Sequence, residues 1–251
     1  VNFEPVGSTN YFEPRVWGKF HRNPLKFAFG GFISSDYSKR FAIDSDVNLA
    51  FFGEDQRISL EFNVEPRIRI SDKMFLVYQF EFGYNPKQRG VVLNDGDVMY
   101  ENNQLIYSKR NRRTIENQLT LDFLFTRNMG INFRMRHYWS TVKIDSYHLL
   151  QDDGRLGYSS YAGVDDDGTR LHDQNYNAFT IDFVYKWIFA PGSELNFTWK
   201  QSIYSTDSEF ENNYIRNTGD MFKEPMTNSM SIKLLYYLDV LYFKKKKKKN
   251  I

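Results

Sequence analysis

Residues 177–204 read NAFTIDFVYKWIFAPGSELNFTWKQSIY, two runs that meet at the short turn APGS. In both runs large apolar side chains recur at every second position, with mostly polar residues between them. A period of two is typical of β-strands, whose side chains point alternately to opposite faces. The stretch therefore predicts a β-hairpin with one apolar and one polar face. The apolar set is Phe179, Ile181, Phe183, Tyr185, Trp187, Phe189, Leu195, Phe197, Trp199 and Ile203.

Composition extends the β interpretation to the rest of the chain. The 251 residues include 23 Phe and 17 Tyr but only 7 Pro and 15 Gly, and aromatic residues favour strands and membrane interfaces. The 33 basic and 31 acidic residues are mixed along the sequence, unlike the one-sided basic surface of a nucleic-acid binder. The mixed charge therefore argues against a nucleic-acid partner. Because there is no cysteine, no glycine-rich phosphate loop and no nucleophile elbow, we expect no cofactor.

Alternation along the chain predicts about ten strands joined by connections of unequal length. Long links near residues 86–104, 145–175 and 206–228 alternate with tight ones at ISDKM, TRNMG and FAPGSE. In bacterial outer-membrane barrels short turns face the periplasm and long loops face outside. The spacing therefore favours an antiparallel transmembrane barrel over residues 1–243, with both chain ends periplasmic. Predicted strands lie near residues 11–21, 25–35, 41–52, 57–70, 74–85, 105–125, 130–144, 176–189, 194–205 and 229–243.

An apolar face can either contact lipid or form a buried core, and this choice separates a membrane protein from a soluble one. A soluble barrel or sandwich alternates in the same way and stays open as an alternative. Mixed charges on the polar faces and aromatic residues near strand ends favour lipid outside and a wet lumen inside. We expect Phe62, Leu121, Phe133 and Phe183 to face lipid. The charges expected to face the lumen are Glu61, Arg67, Arg134, Arg136, Asp182 and Lys186.

Four stretches of the chain resemble a Bacteroidota outer-membrane β-barrel family of unknown function. They are AFTIDFVYKWIFAPGSELNFTWKQSI, MRHYWSTV at 135–142, RRTIENQL at 112–119 and SIKLLYYLDVLYFKKK near the end. Members of that family carry an amino-terminal domain similar to carbohydrate-binding family 9, and this chain resembles the carboxy-terminal part of their barrel. The resemblance implies an outer-membrane location and a possible glycan ligand, but it carries no catalytic motif.

These observations lead to a channel or an envelope-assembly component as the expected function. A structural subunit with a plugged lumen and a large contact with another chain is the alternative. A hydrolase is a more distant one, since the loop 145–175 holds His148, His172 and several aspartates. In the same loop VDDDGTR loosely resembles a calcium loop, although three consecutive Asp depart from the alternate spacing of an EF-hand.

Three further expectations concern the loops and the two ends of the chain. The sequence NDGD at 94–97 predicts a small hairpin with an Asp-Gly turn. Lys244–Lys249 opens a lysine-rich periplasmic tail, 244–251. We also expect the sheet not to close on itself, so that a strand around Phe12–Phe20 and the last strand pair with further strands or with another envelope subunit.

Overall fold

A computed structural model describes residues 2–4, 7–208 and 213–238, and it confirms the expected all-β antiparallel fold. The lysine-rich tail and residues 239–243 lie outside the described residues. The elements are β1 (Asn2–Glu4), β2 (Thr9–Asn10), β3 (His21–Arg22), β4 (Lys26–Ser34), β5 (Phe41–Phe52), β6 (Ile58–Ser71), β7 (Met74–Val91), β8 (Leu93–Asn94), β9 (Asp97–Val98), β10 (Tyr100–Glu101), β11 (Gln104–Thr126), β12 (Met129–Leu150), β13 (Leu156–Tyr158), β14 (Gln174–Ala190), β15 (Ser193–Asp207), α1 (Tyr214–Met221) and β16 (Met226–Leu235).

One large sheet organises the chain as a meander. Its strand order is β1-β4-β5-β6-β7-β11-β12-β14-β15-β16, with β10 and β13 added at the ends of β11 and β12. Along this order each strand therefore pairs with the next strand of the same order along the chain, the arrangement that a meander has. Among the described residues β16 pairs with β15 alone, and no ladder joins it to β1 or β4. The described sheet is open, and a closed transmembrane barrel stays a prediction.

The register places the expected apolar residues on one face across the sheet. Leu121 lies opposite Phe133, which lies opposite Phe183, and the row continues to Trp199 on β15. Phe62 joins the same face through its partner Phe82, which pairs with Ile115 of β11. We call this surface the apolar face, and the opposite surface the polar face.

Tight turns and long connections lie at opposite ends of the sheet, as expected. Residues 72–73, 127–128 and 191–192 form the short turns of one end, which we call the short-turn end. The connections 92–103 and 151–173 belong to the other, the long-loop end. At this end the predicted NDGD hairpin is confirmed, with Asp95 and Gly96 both at positive φ between β8 and β9. β7 and β12 run six residues further toward the long loops than predicted, since residues 86–91 and 145–150 continue the ladders with β11.

The prediction of a strand at residues 11–21 is wrong. Asn10 accepts hydrogen bonds from the backbone N–H groups of Phe12 and Glu13, so its side chain begins a turn at the point where the strand was expected. Arg15 and Gly18 then adopt positive φ, which lies outside the region that a regular β-strand occupies. A ladder from Phe12–Phe20 to upstream sequence is therefore wrong as well, and β1 is the segment that pairs with β4.

The segment 11–20 instead covers a small core at the long-loop end. Val16 packs against a cluster made by Val91, Leu105, Tyr107 and Leu150. The ring of buried His21 lies 5.3 Å from that of Tyr107. Burial lowers the pKa of His21 to about 4, and the nearby positive charge of Arg89 adds to the shift.

Helix α1 is an unpredicted element that docks on the apolar face. Asn213 caps it by accepting hydrogen bonds from the N–H groups of Ile215 and Arg216 at 3.0 and 3.1 Å. Met221 packs on Phe179 and Ile203. The eight-residue helix is therefore held by packing at its last turn and by polar contacts along its length. Within the described residues, no helix has the length and apolar character needed to cross a bilayer.

Buried amides form the polar part of the α1 contact. Asn217 exchanges two hydrogen bonds with Asn177, at 2.6 and 3.0 Å, and accepts a third from Asn175. Asn175 in turn accepts from the indole N–H of Trp139 at 2.6 Å. At the first turn of the helix, Tyr214 lies 2.9 Å from His137 Nδ1. Since buried amides without partners are costly, this network fixes where the helix lies.

Replacing Asn217 tests the docking of α1. The Asn217→Leu variant keeps the branched shape of the side chain but leaves the amides of Asn175 and Asn177 short of partners, so we expect a loss of about 2–3 kcal/mol in the free energy of unfolding. Urea titration of the protein in detergent measures it. The control Asn48→Leu, at an exposed position of β5, should cost about 0.5 kcal/mol or less. Equal losses in both variants would contradict the assigned role of the network.

Candidate functional site

The six charges singled out in the sequence all lie on the polar face. Arg134 of β12 lies opposite Asp182 of β14. Arg136 lies opposite Thr180, which is two residues from Asp182 and therefore on the same face. Glu61 and Arg67 connect to that face through their β7 partners Gly83 and Val77. Lys186 occupies the same face of β14, four positions beyond Asp182. That this face lines a lumen stays a prediction.

Asp182 is the centre of an ion-paired group that spans three strands. Arg134 on β12 donates to it at 2.7 Å, and Lys200 on β15 approaches its other oxygen at 3.6 Å. Near the short-turn end, Lys186 and Glu194 form a further pair between β14 and β15 at 2.9 Å. Positive and negative side chains thus alternate between neighbouring strands, and each pair links adjacent strands.

A second ion pair joins β11 and β12. Both oxygens of Glu116 accept hydrogen bonds from the Arg136 guanidinium, one of them at 2.7 Å. The same guanidinium lies over the ring of Tyr138 at 5.8 Å. Two parallel bonds fix the plane of the arginine, so this pair is geometrically better defined than a single contact.

Arg67 forms the corresponding group at the other side of the sheet. It contacts Asp44 at 3.3 Å and also pairs with Glu65. Its guanidinium stacks over Tyr37 at 4.8 Å, and the hydroxyl of that tyrosine donates to Asp44. Asp182, Arg136 and Arg67 share no ion-pair partner among the described residues. These three predicted residues therefore belong to three separate ion-paired groups.

Glu61 lines a concavity of about 500 Å³, which we call the polar hollow. Gly83 forms part of its floor, where a Cβ would come within 2.5 Å of Thr114 Oγ1. Arg112 donates to the hydroxyl of Tyr138 at 3.3 Å across one wall. The polar side chains that surround the hollow are Asp46, Glu61, Asn63, Glu81, Asn85, Arg112, Thr114 and Tyr138.

Sequence reasoning did not identify the polar hollow as a site. Its polar side chains come from five strands, β5, β6, β7, β11 and β12, and no short motif contains more than two of them. The one local indication is Gly83, a glycine inside a strand, which commonly marks space for another group. Chemically the hollow offers carboxylates, amides and one guanidinium, groups that hydrate ions and bond to polar solutes.

The histidines and aspartates of the 145–175 loop do not converge on one another. His148 bonds to Ser146 at 2.9 Å and His172 to the hydroxyl of Tyr161 at 2.6 Å. Asp173 pairs with Arg170 at 2.6 Å. In the described part of the chain no cluster of His, Asp or Glu has the arrangement of a metal site. The described residues of the loop therefore form no assembled site that supports the hydrolase or the calcium hypothesis.

The VDDDGTR stretch forms a hydrogen-bonded turn. Asp165 Oδ1 accepts from the backbone N–H groups of Asp167 and Thr169 at 3.0 and 2.7 Å, and Gly168 takes positive φ. An isolated bridge between Val164 and Arg170 closes the turn. The carboxylate of Asp165 thereby satisfies backbone donors, which is the ordinary role of Asp in such loops.

Comparison with known protein families matches residues 1–247 to a domain of unknown function, DUF5916. The match covers nearly the whole chain, and the chain therefore belongs to that family. Curated proteins and solved structures gave no match. The expectation of a family of unknown function is confirmed in this form.

A double-mutant cycle tests the Arg136–Glu116 pair. Because the two side chains are 46% and 15% exposed, and the geometry is bidentate, we expect the variants Arg136→Met and Glu116→Gln to show a coupling energy of about 1 kcal/mol. Urea unfolding of the single and double variants provides it. The exposed pair Lys223–Asp220 serves as control and should couple by about 0.3 kcal/mol or less. Coupling no larger than in the control would contradict the structural role of the pair.

Proposed function

We propose that this DUF5916 protein is part of a transmembrane β-barrel in the outer membrane of Bacteroidota, with its polar face lining a channel. The proposal rests on one observation, the separation of a broad exposed apolar face from an ion-paired polar face on the same strands. Strands with one apolar and one polar face are expected in a sheet that separates lipid from water.

The apolar face supports a lipid environment through its exposure. Large side chains on β4, β5, β6, β14 and β16 lie open on this face, and soluble proteins rarely leave so extended an apolar surface uncovered. α1 covers only its part nearest the long loops. Exposed members of the face, which we call the apolar band, are Phe27, Phe29, Phe41, Val47, Phe51, Ile58, Ile68, Trp187, Met230, Ile232 and Leu234.

The polar face supports a wet interior. Charged residues on neighbouring strands are paired with one another, and the polar hollow opens between them. In a membrane these groups need water or opposite charge, because isolated buried charges are costly. A hydrated channel supplies the water, and the chemistry of the hollow suits a polar solute. The resemblance to proteins with a carbohydrate-binding domain makes a glycan the candidate cargo.

The ends of the sheet support an orientation. Trp187 and Phe189 lie beside the 191–192 turn, and Phe189 stacks with Tyr236 at a centroid distance of 6.1 Å. Aromatic side chains at strand ends are typical of membrane interfaces. With short turns toward the periplasm, β16 runs toward that side and the long loops face outside.

A structural subunit is the second candidate. The edge of β16 has no ladder partner among the described residues, and an unpaired edge is not stable in hydrocarbon. Another chain, or further strands of the same protein, would cover it. This candidate predicts insertion without conduction.

Ion conductance of the inserted protein separates the two candidates. We expect stable conductance in planar bilayers, and a lower ratio of cation to anion permeability when Glu61→Gln and Glu81→Gln remove two carboxylates from the polar hollow. The control Asp166→Asn with Asp167→Asn removes the same charge from an exposed loop and should leave the ratio unchanged. Insertion without conductance would favour the structural subunit and contradict the channel.

A further inference from the structure

A second concavity, of about 620 Å³, lies at the long-loop end. The turn 53–57, the far ends of β7, β11 and β12, and the segment that leads into β4 surround it. We call it the basic hollow, because the charged side chains around it are mainly positive. They are Arg22, Arg89, Lys109 and Arg155, with Glu54 as the acidic member.

The basic hollow opens on the same side of the sheet as the apolar band. Lys109 and Arg89 are ladder partners, and Lys109 shares its face of β11 with Leu121 of the apolar face. Leu25 lines the hollow and precedes β4, where Phe27 begins the apolar band. A molecule that lay on the band at this point would reach the basic side chains with its polar end.

Two of the cations are held in place by acidic neighbours. Arg89 pairs with Glu54 and lies 3.7 Å from Asp55. Lys109 contacts Asp55 at 2.8 Å. Their positions are therefore fixed, and part of their charge is already compensated.

The other two cations are available for a ligand. Arg22 makes no ion pair with any residue that the structure describes. Arg155 approaches Asp153 at 3.7 Å, but both side chains are at least half exposed, so water weakens this contact. Two guanidinium groups thus face a concavity without a strong acidic partner, and guanidinium groups bind phosphate in a planar, two-bond geometry.

The segment 11–20, which precedes Arg22 along the chain, exposes aromatic side chains. Phe12 is 92% exposed and Trp17 is fully exposed, although both belong to a segment that is otherwise anchored on the core through Val16. Exposed aromatic residues at an end of a sheet that also carries basic residues are characteristic of the membrane interface, where rings enter the headgroup region. Charge and apolar exposure together therefore fit an amphiphilic ligand better than a fully soluble anion.

We infer that the basic hollow binds the phosphate of an anionic lipid headgroup whose acyl chains lie along the apolar band. The inference rests on the proposed membrane location and adds a specific lipid contact to it. Basic pockets at the membrane surface recognise headgroups in this way, by charge complementarity close to the bilayer.

Spin-labelled lipids test the inference with the full chain in phosphatidylcholine vesicles that contain roughly 20% phosphatidylglycerol. Electron spin resonance gives the fraction of each labelled lipid whose motion the protein restricts. We expect labelled phosphatidylglycerol to associate more strongly than labelled phosphatidylcholine. The double variant Arg22→Gln with Arg155→Gln should lower this preference about fivefold or more.

The control variant Lys39→Gln with Arg127→Gln removes two positive charges from the short-turn end of the sheet. It should keep the preference within about twofold of the unmodified chain, and an equal fall in both double variants would mean a general charge effect and overturn the inference. Added pyrophosphate separates the two sources of phosphate. If it binds the unmodified chain while the two lipids associate equally, the ligand is a soluble phosphate and the lipid assignment is wrong.

The same spectra distinguish this inference from the proposed function. Restricted lipid without preference for phosphatidylglycerol would overturn the lipid site alone, since the protein would still lie in the bilayer. Absence of any restricted lipid would overturn both the site and the membrane location. Preference that depends on Arg22 and Arg155 supports the site.

Discussion

Cross-strand register is the constraint on which the rest of this structure depends. Leu121, Phe133, Phe183 and Trp199 form one row across four strands because each pairs directly with the next. A slip of one residue in any ladder would exchange the two faces of that strand and place charges in the apolar row. The alternation in residues 177–204 therefore determines more than a hairpin, since only one alignment with the neighbouring strands keeps the apolar residues on a single face.

The ion pairs of the polar face follow from the same register. Arg134 reaches Asp182 because the two residues are ladder partners, and Lys200 completes the group from the next strand. Individually such half-exposed pairs contribute little to the free energy of unfolding. Their effect is on alignment, because a slipped strand would bring like charges together or leave them without partners. The polar face is thus both the proposed functional surface and a second specification of the register.

Much of the fold could be predicted from local patterns, because strand alternation and turn chemistry are local properties. The hairpin at 177–204, the Asp-Gly turn at 94–97 and the common face of the six charges are of this kind. The same reasoning gave a wrong prediction of a strand for residues 11–20, since the side chain of Asn10 imposes a turn on an alternating stretch. Helix α1 and both hollows depend on contacts between residues far apart in sequence, such as Asn217 with Asn177, and period two carries no information about those.

Quenching of tryptophan fluorescence by brominated lipid tests most directly whether the two faces meet different solvents. Trp199 lies on the apolar face, and its neighbour Thr198 lies on the polar face. The measurement compares the unmodified chain, a Trp199→Phe variant, and a variant that combines Trp199→Phe with Thr198→Trp, each in brominated phosphatidylcholine vesicles. The account predicts that brominated lipid strongly quenches the part of the emission that the Trp199→Phe variant lacks. The emission that Thr198→Trp restores should not be quenched. Equal quenching at both positions, or quenching at neither, would contradict it.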